Sequence, residues 1–457
     1  MSLHLYNTKS RSIEAFIPLK DTVVTMYACG PTVYDYTHIG HMRKYIGDDI
    51  LRRTLTLLGY EVRHVMNITD VGHLTDDADT GDDKFEKKAR LEGKTVWDIA
   101  KFYTDYFDTS MREVNVLAPT IISKATEHVP QMIALVEKLI AKGFAYETAH
   151  AVYFDTATDP HYGELSGQKI SEKETAVRDE VVIDPDKHNP ADFALWFKRI
   201  GKFADHTMYW PSPWGDGFPG WHIECSAMAM HYLGETIDIH TGGIDHIPVH
   251  HENEIAQSEC ATGHEFARFW VHHDFLTVDG VKMSKSLNNF YNIDDIIARS
   301  ISPLATRLLC MQTSYRKPLN FTWEALEVAE LQLKKLQKFA SHQDTIGSVS
   351  ATHRTSFTDA LSDDLNTAKA LAVVWEVFNS DLLGADKWAT LLKFDEVLGL
   401  KLDTVQKFSI TPEAHALART RDEARAAKDF GTSDKLRAEL EALGYEVLDT
   451  PNGTVLQ

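Results

Sequence analysis

No stretch of the 457-residue chain stays apolar for the roughly 20 residues a bilayer crossing needs, and Met1 to Lys20 is polar and punctuated. A soluble, cytoplasmic protein is expected. Cysteine is scarce: Cys29, Cys225, Cys260 and Cys310 lie far apart, a poor disulfide framework that fits a reducing compartment and leaves metal or redox chemistry as their special role. Paired-cysteine knuckles, internal repeats and low-complexity tracts are missing. So is an excess of positive charge. With 47 basic against 67 acidic residues the net charge is −20, which argues against a general binder of nucleic-acid phosphates. An enzyme reading one folded RNA through local basic patches, such as Lys334 to Lys338 or Arg419 to Arg437, remains compatible with it.

What is present is ordinary soluble usage, 43% hydrophobic and 25% charged, in a chain too long for one core, so several domains are expected. Val23 to Cys29 is β-branched and aromatic and stops at Gly30-Pro31. A helical pattern follows, with Ile46, Ile50, Leu51, Leu55 and Leu58 on one face and Gly59 as its end, then a second strand-like run, Glu61 to Ile68. Strand, helix, strand in parallel places a ligand pocket beyond the strand ends, just after Cys29 and Ile68. From about Thr120 to Arg199 a helix, a strand pair around Tyr146 to Phe154 and polar loops read as an insertion. The sheet then resumes: a Pro/Gly/Trp-rich loop, Trp210 to Trp221, leads to helix Ile223 to Tyr232, strand Thr236 to His240, a Gly242-Gly243 turn and a helix from about His250 to Cys260. Pro303 to Leu400 follows helical periods, with long amphipathic stretches at Trp323 to Phe339 and Asp359 to Leu382, and predicts a helix bundle. Thr411 to Gln457 offers a helix pair and a hairpin, Tyr445 to Leu456, turning at Asn452-Gly453.

His38-Ile39-Gly40-His41 stands where the first helix begins. Backbone amides and the helix dipole favour an anion there, Gly40 lets the backbone approach, and the imidazoles can donate to phosphate oxygens. Alone, the tetrapeptide reads as two solvated histidines. Lys282-Met283-Ser284-Lys285-Ser286 lies in a loop after Gly280; its lysines and hydroxyls suit closure over a triphosphate and neutralisation of a departing pyrophosphate, although alone it reads as an exposed polar loop. Both motifs in one chain, in this order, resemble the two signatures of class I aminoacyl-tRNA synthetases.

Three further strings narrow the resemblance: Tyr-Ala-Cys29-Gly-Pro-Thr-Val-Tyr-Asp, Gly220-Trp-His-Ile-Glu-Cys225-Ser-Ala-Met and His250-His-Glu-Asn-Glu254. His250 and Glu254, four apart on a predicted helix, share a face, but spacing would not assemble these with the two distant cysteines; each has a bland reading in a core or a charged helix. The strings resemble those of the cysteinyl-tRNA synthetases. That resemblance implies one zinc ion in the amino-acid pocket, held by Cys29, Cys225, His250 and Glu254 and joined by the substrate's thiolate. Cysteine and serine differ by one heavy atom, and a soft thiolate is a far better zinc ligand than a hydroxyl, so a metal selects where an apolar pocket cannot.

The resemblance covers nearly the whole chain. It implies an α/β fold: a Rossmann-type parallel-sheet catalytic domain in two halves (1–119 and 200–302), a connective insertion (120–199), a helical bundle (303–405) and a small C-terminal α+β anticodon-binding domain (406–457). It implies catalytic roles for His38, His41, Lys282 and Lys285, and ATP contacts from Gly40, Gly242, Asp245, Ser284 and Lys285. Thr69, Trp221 and His240 would meet the substrate, and Phe430, Asp434 and Arg437 the tRNA anticodon, with Phe430 where the family commonly has tryptophan. ATP with Mg²⁺, L-cysteine and tRNA(Cys) are the expected co-substrates, and a monomer is the expected state. Two other readings are a cysteine ligase of thiol-cofactor synthesis, whose members lack the terminal segment retained here, and a catalytically silent RNA-binding paralogue, which would be expected to lose some of these residues.

Overall fold

β-Branched and aromatic residues build a parallel sheet whose strands end at the expected pocket. The computed structural model describes residues 2–456 apart from 73, 75–82, 168–183, 285–286, 288 and 452. Strands β1 (Val23–Ala28), β2 (Glu61–Ile68), β3 (Ile121–Lys124), β4 (Ile237–Gly243) and β5 (Ala267–His273) form one five-stranded sheet in the order β5-β4-β1-β2-β3, every pair parallel. Helix α1 (Ile39–Leu57) crosses from β1 to β2; Leu58 caps it and Gly59, at φ +96°, turns the chain into β2. Alternation along β2 sends Val65 to one apolar layer and Met66 and Ile68 to the other, so both faces of the sheet are covered. Helix α2 (Val96–Glu113), capped reciprocally by Thr95 and Asp98, packs in the same layer as Met66.

The insertion carries its own four-stranded antiparallel sheet, Ala145–Glu147, Ala151–Phe154, Phe193–Lys198 and Gly217–Pro219. Its last strand lies inside the Trp210 to Trp221 loop, and Ile121–Lys124 belongs to the main sheet, so the insertion's elements run from beyond Lys124 to Pro219. Helices α3 (Trp221–Leu233) and α4 (Glu252–Thr262) flank β4 in sequence. The expected helix from His250 begins differently: Ile247–His251 is a π-helical turn, after which α4 starts at Glu252. The Gly242-Gly243 pair, read as a turn, still pairs within β4.

The bundle follows as Pro303–Met311, Trp323–Ser341, Ala351–Ser362, Thr367–Asn379 and Gly384–Leu398. The single stretch predicted over Asp359 to Leu382 is two helices. Asp364 and Leu365 break it at φ +53° and +52°, held there because Asp364 accepts from the Tyr315 hydroxyl at 2.6 Å and the Tyr6 amide at 2.9 Å and pairs with Arg316 at 2.6 Å. Tertiary bonds override helix periodicity at that point. The buried Arg307 joins the bundle to the parallel-sheet domain: it pairs with Asp49 of α1 at 2.6 Å and donates to the carbonyls of Val114, Asn115 and Leu398. At the end, helices Pro412–Ala426 and Phe430–Ala442 pack on the hairpin Val447–Thr450 and Gly453–Leu456 around Ala414, Leu440 and Val447; Asn452 of its turn and the terminal Gln457 lie outside the described residues.

Candidate active site

The loops that leave β1 and β2 are tied together at the sheet's carboxyl edge. Thr69 N–H donates to the Pro31 carbonyl at 3.0 Å and Val33 N–H to the Thr69 carbonyl at 3.2 Å. Gly30 makes the approach possible, since a Cβ there would stand 1.6 Å from the Asn67 carbonyl oxygen. This brings Cys29 to the wall of a buried cluster: Cys225 arrives on α3, His250 in the π-helical turn and Glu254 on α4, and the four offer ligand atoms all within 4.8 Å of one another. Two residues with no spacing relation to the others thus join a pair set four apart.

The cluster is electrostatically built for a cation. Burial opposes charge on Glu254, but the His240 and His250 imidazoles, at 2.9 and 3.0 Å, hold its carboxyl well below the usual carboxylate range. The pKa of His250 is pushed up to about 10, because the Glu254 carboxylate and the Cys29 sulfur outweigh its burial. Burial also works against a Cys29 thiolate, yet the Cys225 thiol and His250 bring its pKa well below the usual thiol value, while burial and the neighbouring Cys29 push that of Cys225 well above it. Sulfur, nitrogen and oxygen donors buried in this combination suit zinc, which takes cysteine as thiolate and histidine as neutral imidazole.

A second set of ligand atoms, from Cys29, His240, His251 and Glu254, shares the same 4.8 Å limit. His240 is wholly buried, stacked on Trp270 at 4.6 Å with its Nε2 on Glu254, so it sits behind the carboxylate and orients it. His251 continues inward, bonded to His272 at 2.7 Å, which reaches the Thr8 hydroxyl at 2.7 Å. Gly242 is required by this histidine packing, since a Cβ would lie 2.5 Å from the His251 ring. A Cβ on Gly243 would likewise stand 2.2 Å from the Asp245 carboxylate.

Around the cluster, Trp221 stacks on His250 with ring centres 4.2 Å apart. Thr69 donates its hydroxyl to the Glu224 carboxylate at 2.8 Å and accepts from the Asn67 amide at 3.2 Å; Asn67 in turn accepts the Gly30 N–H at 2.7 Å. Burial, against the Thr69 hydrogen bond, pushes the Glu224 carboxyl well above its ordinary pKa. Glu224, Asn67 and Lys44, whose ammonium bonds the Cys29 carbonyl and pairs with Asp48 at 2.8 Å, carry no motif of their own. Their signal was a polar residue inside an apolar or motif-bearing run.

The two signature segments meet. His38 caps α1, its Nδ1 accepting the His41 N–H at 3.3 Å while the His41 Nδ1 accepts the His38 N–H at 3.4 Å, and the rings stack 3.6 Å apart. Although His41 is exposed, desolvation by the surrounding protein lowers its pKa to about 4. Phe290 packs edge-on against His38 at 5.0 Å, Tyr291 accepts the Ile39 N–H at 3.0 Å, and a Cβ on Gly40 would touch the His38 ring at 2.9 Å and the Met283 methyl at 3.4 Å. Asn289 accepts the Ser284 N–H at 2.7 Å, and Lys282 lies exposed near the Phe275 ring. Lys285, Ser286 and Asn288 lie outside the described residues, as does His73 after β2.

At the far end, Phe430 is 64% exposed at a helix start, with Asp434 exposed one turn on. Arg437 shares that face but is turned to its own hairpin, donating to the Val447 carbonyl at 2.7 Å and to Glu441 at 3.1 Å. The basic patches are partly neutralised within the fold: Lys338 pairs with Glu446, Lys334 with Glu330, and Arg421 and Arg425 both with Asp449.

Comparison with known proteins agrees along the chain. Residues 15–331 match the family of class I (C) tRNA synthetase catalytic domains, 356–403 the DALR domain, and 409–454 the cysteinyl-tRNA ligase anticodon binding domain. Cysteine–tRNA ligase 1 of Burkholderia lata is 45% identical over 99% of this chain and 96% of its own, and the cysteine–tRNA ligases of Chlorobaculum tepidum and Treponema denticola are 43% and 41% identical over 98% and 99% of theirs. Among solved structures, Mycobacterium tuberculosis methionyl-tRNA synthetase with methionyl-adenylate superposes at a TM-score of 0.56 and 14% identity, covering 83% of this chain and 90% of that one. The ternary complex of Agrobacterium radiobacter K84 agnB2 LeuRS with tRNA and LeuAMS gives 0.58 at 11% identity, covering 85% of each chain. These last two share the fold. Catalytic, DALR and anticodon-binding matches in order, with full-length relatives above 40% identity, place the chain in the cysteine–tRNA ligase family of class I aminoacyl-tRNA synthetases.

Proposed function

We propose that this chain activates L-cysteine with ATP and esterifies it onto the 3′ end of tRNA(Cys), and that Cys29, Cys225, His250 and Glu254 hold a zinc ion that selects the substrate by its sulfur. The observation that carries the reading is the buried cluster of two sulfurs, an imidazole and a carboxylate at the carboxyl edge of the parallel sheet. Zinc, when bound, supplies a soft Lewis acid that prefers the cysteine thiolate to a serine hydroxyl. Four protein donors make a closed set, so room for the substrate requires one to loosen, and the hard carboxylate of Glu254 is the candidate.

The chain's own residues supply the rest. Trp221 forms the aromatic wall beside His250, and Thr69, fixed by Asn67 and Glu224, lines the amino-acid side. The α-carboxylate of cysteine attacks the α-phosphorus of ATP, the bond to the bridging oxygen breaks, and pyrophosphate leaves with Mg²⁺. Both Nδ1 atoms of His38 and His41 accept backbone N–H groups, which puts the proton of each neutral ring on Nε2, a donor for phosphate oxygens. Lys282, Ser284 and Lys285 neutralise the departing pyrophosphate, with Gly40, Gly242 and Asp245 on the nucleotide side. The terminal ribose hydroxyl of the tRNA then attacks the adenylate carbonyl and AMP leaves. Positioning and electrostatics suffice, with no protein nucleophile. Phe430, with Asp434 and Arg437 on its helix, reads the anticodon by stacking and base-edge contacts. Cysteine-dependent ATP–pyrophosphate exchange, followed by charging of a tRNA(Cys) transcript, tests the reading. Exchange without charging would favour a thiol-cofactor ligase, and no exchange with any amino acid a silent RNA-binding paralogue.

A further inference from the structure

Beyond the carboxyl end of β3 lies an open groove of about 530 Å³. Val129, Pro130 and Ile133, from the helix Val129–Ala141, line it together with Trp210, Pro211 and Pro213. Its two hydroxyls are already engaged inside the protein: Thr126 donates to the Asp70 carboxylate at 2.8 Å and Ser212 to the Gly215 carbonyl at 2.6 Å. Among the described residues no charged side chain lines it. What the groove offers an occupant is flat, apolar surface, and with Pro130, Pro211 and Pro213 exposed that surface marks an interaction site.

Its position says what should arrive there. β3 pairs with β2, Lys124 level with Ile68, and β2 pairs with β1, Met66 level with Ala28. At about 4.8 Å per strand the groove begins roughly 10 Å along the sheet edge from the Cys29 cluster. Asp70, the residue after Thr69, takes both the amide N–H and the hydroxyl of Thr126, at 2.9 and 2.8 Å, so the groove and the amino-acid pocket share a wall. Trp210 is fixed by a two-bond bridge to Gly217: its N–H donates to that residue's carbonyl at 2.8 Å, and its carbonyl accepts that residue's N–H at 3.0 Å. Its indole is therefore placed before any ligand comes.

We propose that this groove is a subsite for the penultimate base of the tRNA's unpaired 3′ end, stacked on Trp210 against Val129 and Pro130 while the terminal ribose reaches the cysteine beside Thr69. The inference rests on the ligase reading above. An unpaired base has apolar faces and polar edges that stay in water, and stacking on an indole needs no hydrogen bond from the protein. Lys124, exposed at the end of β3, supplies a cation for the adjoining phosphate. In a chain of net charge −20, stacking holds the RNA end without a broad basic surface. A proline-rich peptide would also lie on such walls, but a place on the sheet edge beside the reaction site favours the end of the substrate that must come there.

Equilibrium binding of the full-length protein to a tRNA(Cys) transcript, compared with the same transcript made abasic at the penultimate position, tests the subsite, without ATP so that no chemistry intervenes. For wild type the expected result is a loss of about 5- to 150-fold on removing the base. Trp210→Ala should bind the intact transcript weaker by the same factor and show no further loss with the abasic one. Pro213→Trp, at an exposed position, should fill the groove and erase the difference as well. Equal wild-type affinity for the two transcripts overturns the proposal, and so does full sensitivity to the missing base in both variants, which would place the base elsewhere. Charging of the intact transcript, measured alongside, keeps the two readings apart. A protein that charges it but ignores the missing base loses the subsite and keeps the ligase activity, whereas one that neither binds nor charges it loses both.

Discussion

His38 and His41 cap the first turn of α1 reciprocally, each Nδ1 accepting the other's backbone N–H, with their rings stacked 3.6 Å apart. The same bonds that start the helix also fix where the protons sit, so in the proposed function helix capping and phosphate recognition fall to opposite edges of one imidazole.

That double duty can be separated. Asparagine is among the best N-caps, so His38→Asn should unfold within a few tenths of a kcal/mol of wild type, whereas His38→Ala should lose about 1 kcal/mol. Both should lower cysteine-dependent exchange by roughly 10²-fold, because each removes the outward donor. Wild-type exchange in His38→Asn would show that the ring acts only as a cap.

Thr69 gives a similar contrast. Its hydroxyl is the donor to Glu224, so Thr69→Val should cost about 1–3 kcal/mol by stranding a buried carboxyl oxygen, and Thr69→Ser much less. In steady-state exchange the valine variant should raise the KM for cysteine about tenfold. Equal damage from serine and valine would mean that the methyl group, through packing, is what matters.

For Phe430, the prediction lies entirely in the tRNA step. Stacking of a base on an aromatic contributes about 1–3 kcal/mol, so Phe430→Ala should lower kcat/KM for tRNA charging by roughly 5- to 150-fold and leave ATP–pyrophosphate exchange unchanged. Phe430→Trp should charge at least as well as wild type. A fall in exchange with Phe430→Ala would point to a folding defect.

His64 provides a pH signature. Its folded pKa of about 4 lies below the ordinary value near 6.5, so the unfolded chain takes up the proton first and stability is lost as pH falls through that window. Between pH 7 and pH 5 this group should remove about 2 kcal/mol, read as the extra loss of unfolding free energy in wild type relative to His64→Gln. Parallel losses in the two proteins would contradict the assignment.

Much of this was legible before folding. The strand from Val23, helix α1 and β2 followed from periodicity and from Gly59, and the two signatures from their order, because local chemistry dictates helix starts and phosphate loops. The four-residue cluster was not legible from spacing: Cys29 and Cys225 reach His250 and Glu254 only through the folded chain, and resemblance alone named them together. The π-helical turn over Ile247–His251 and the break at Asp364-Leu365 were hidden for a related reason, since each is held by contacts from distant parts of the chain. His240 looked like a substrate contact in a strand; its bond to Glu254 from behind became visible only with α4 in place.

The central claim is that a metal selects the substrate. Cysteine-dependent ATP–pyrophosphate exchange, with serine as competitor and zinc measured on the same sample, tests it most directly. The account predicts one zinc per chain, exchange driven by cysteine and near-absent with serine, and loss of zinc and exchange together in Cys225→Ser. Zinc-free protein with full, cysteine-specific exchange would contradict it.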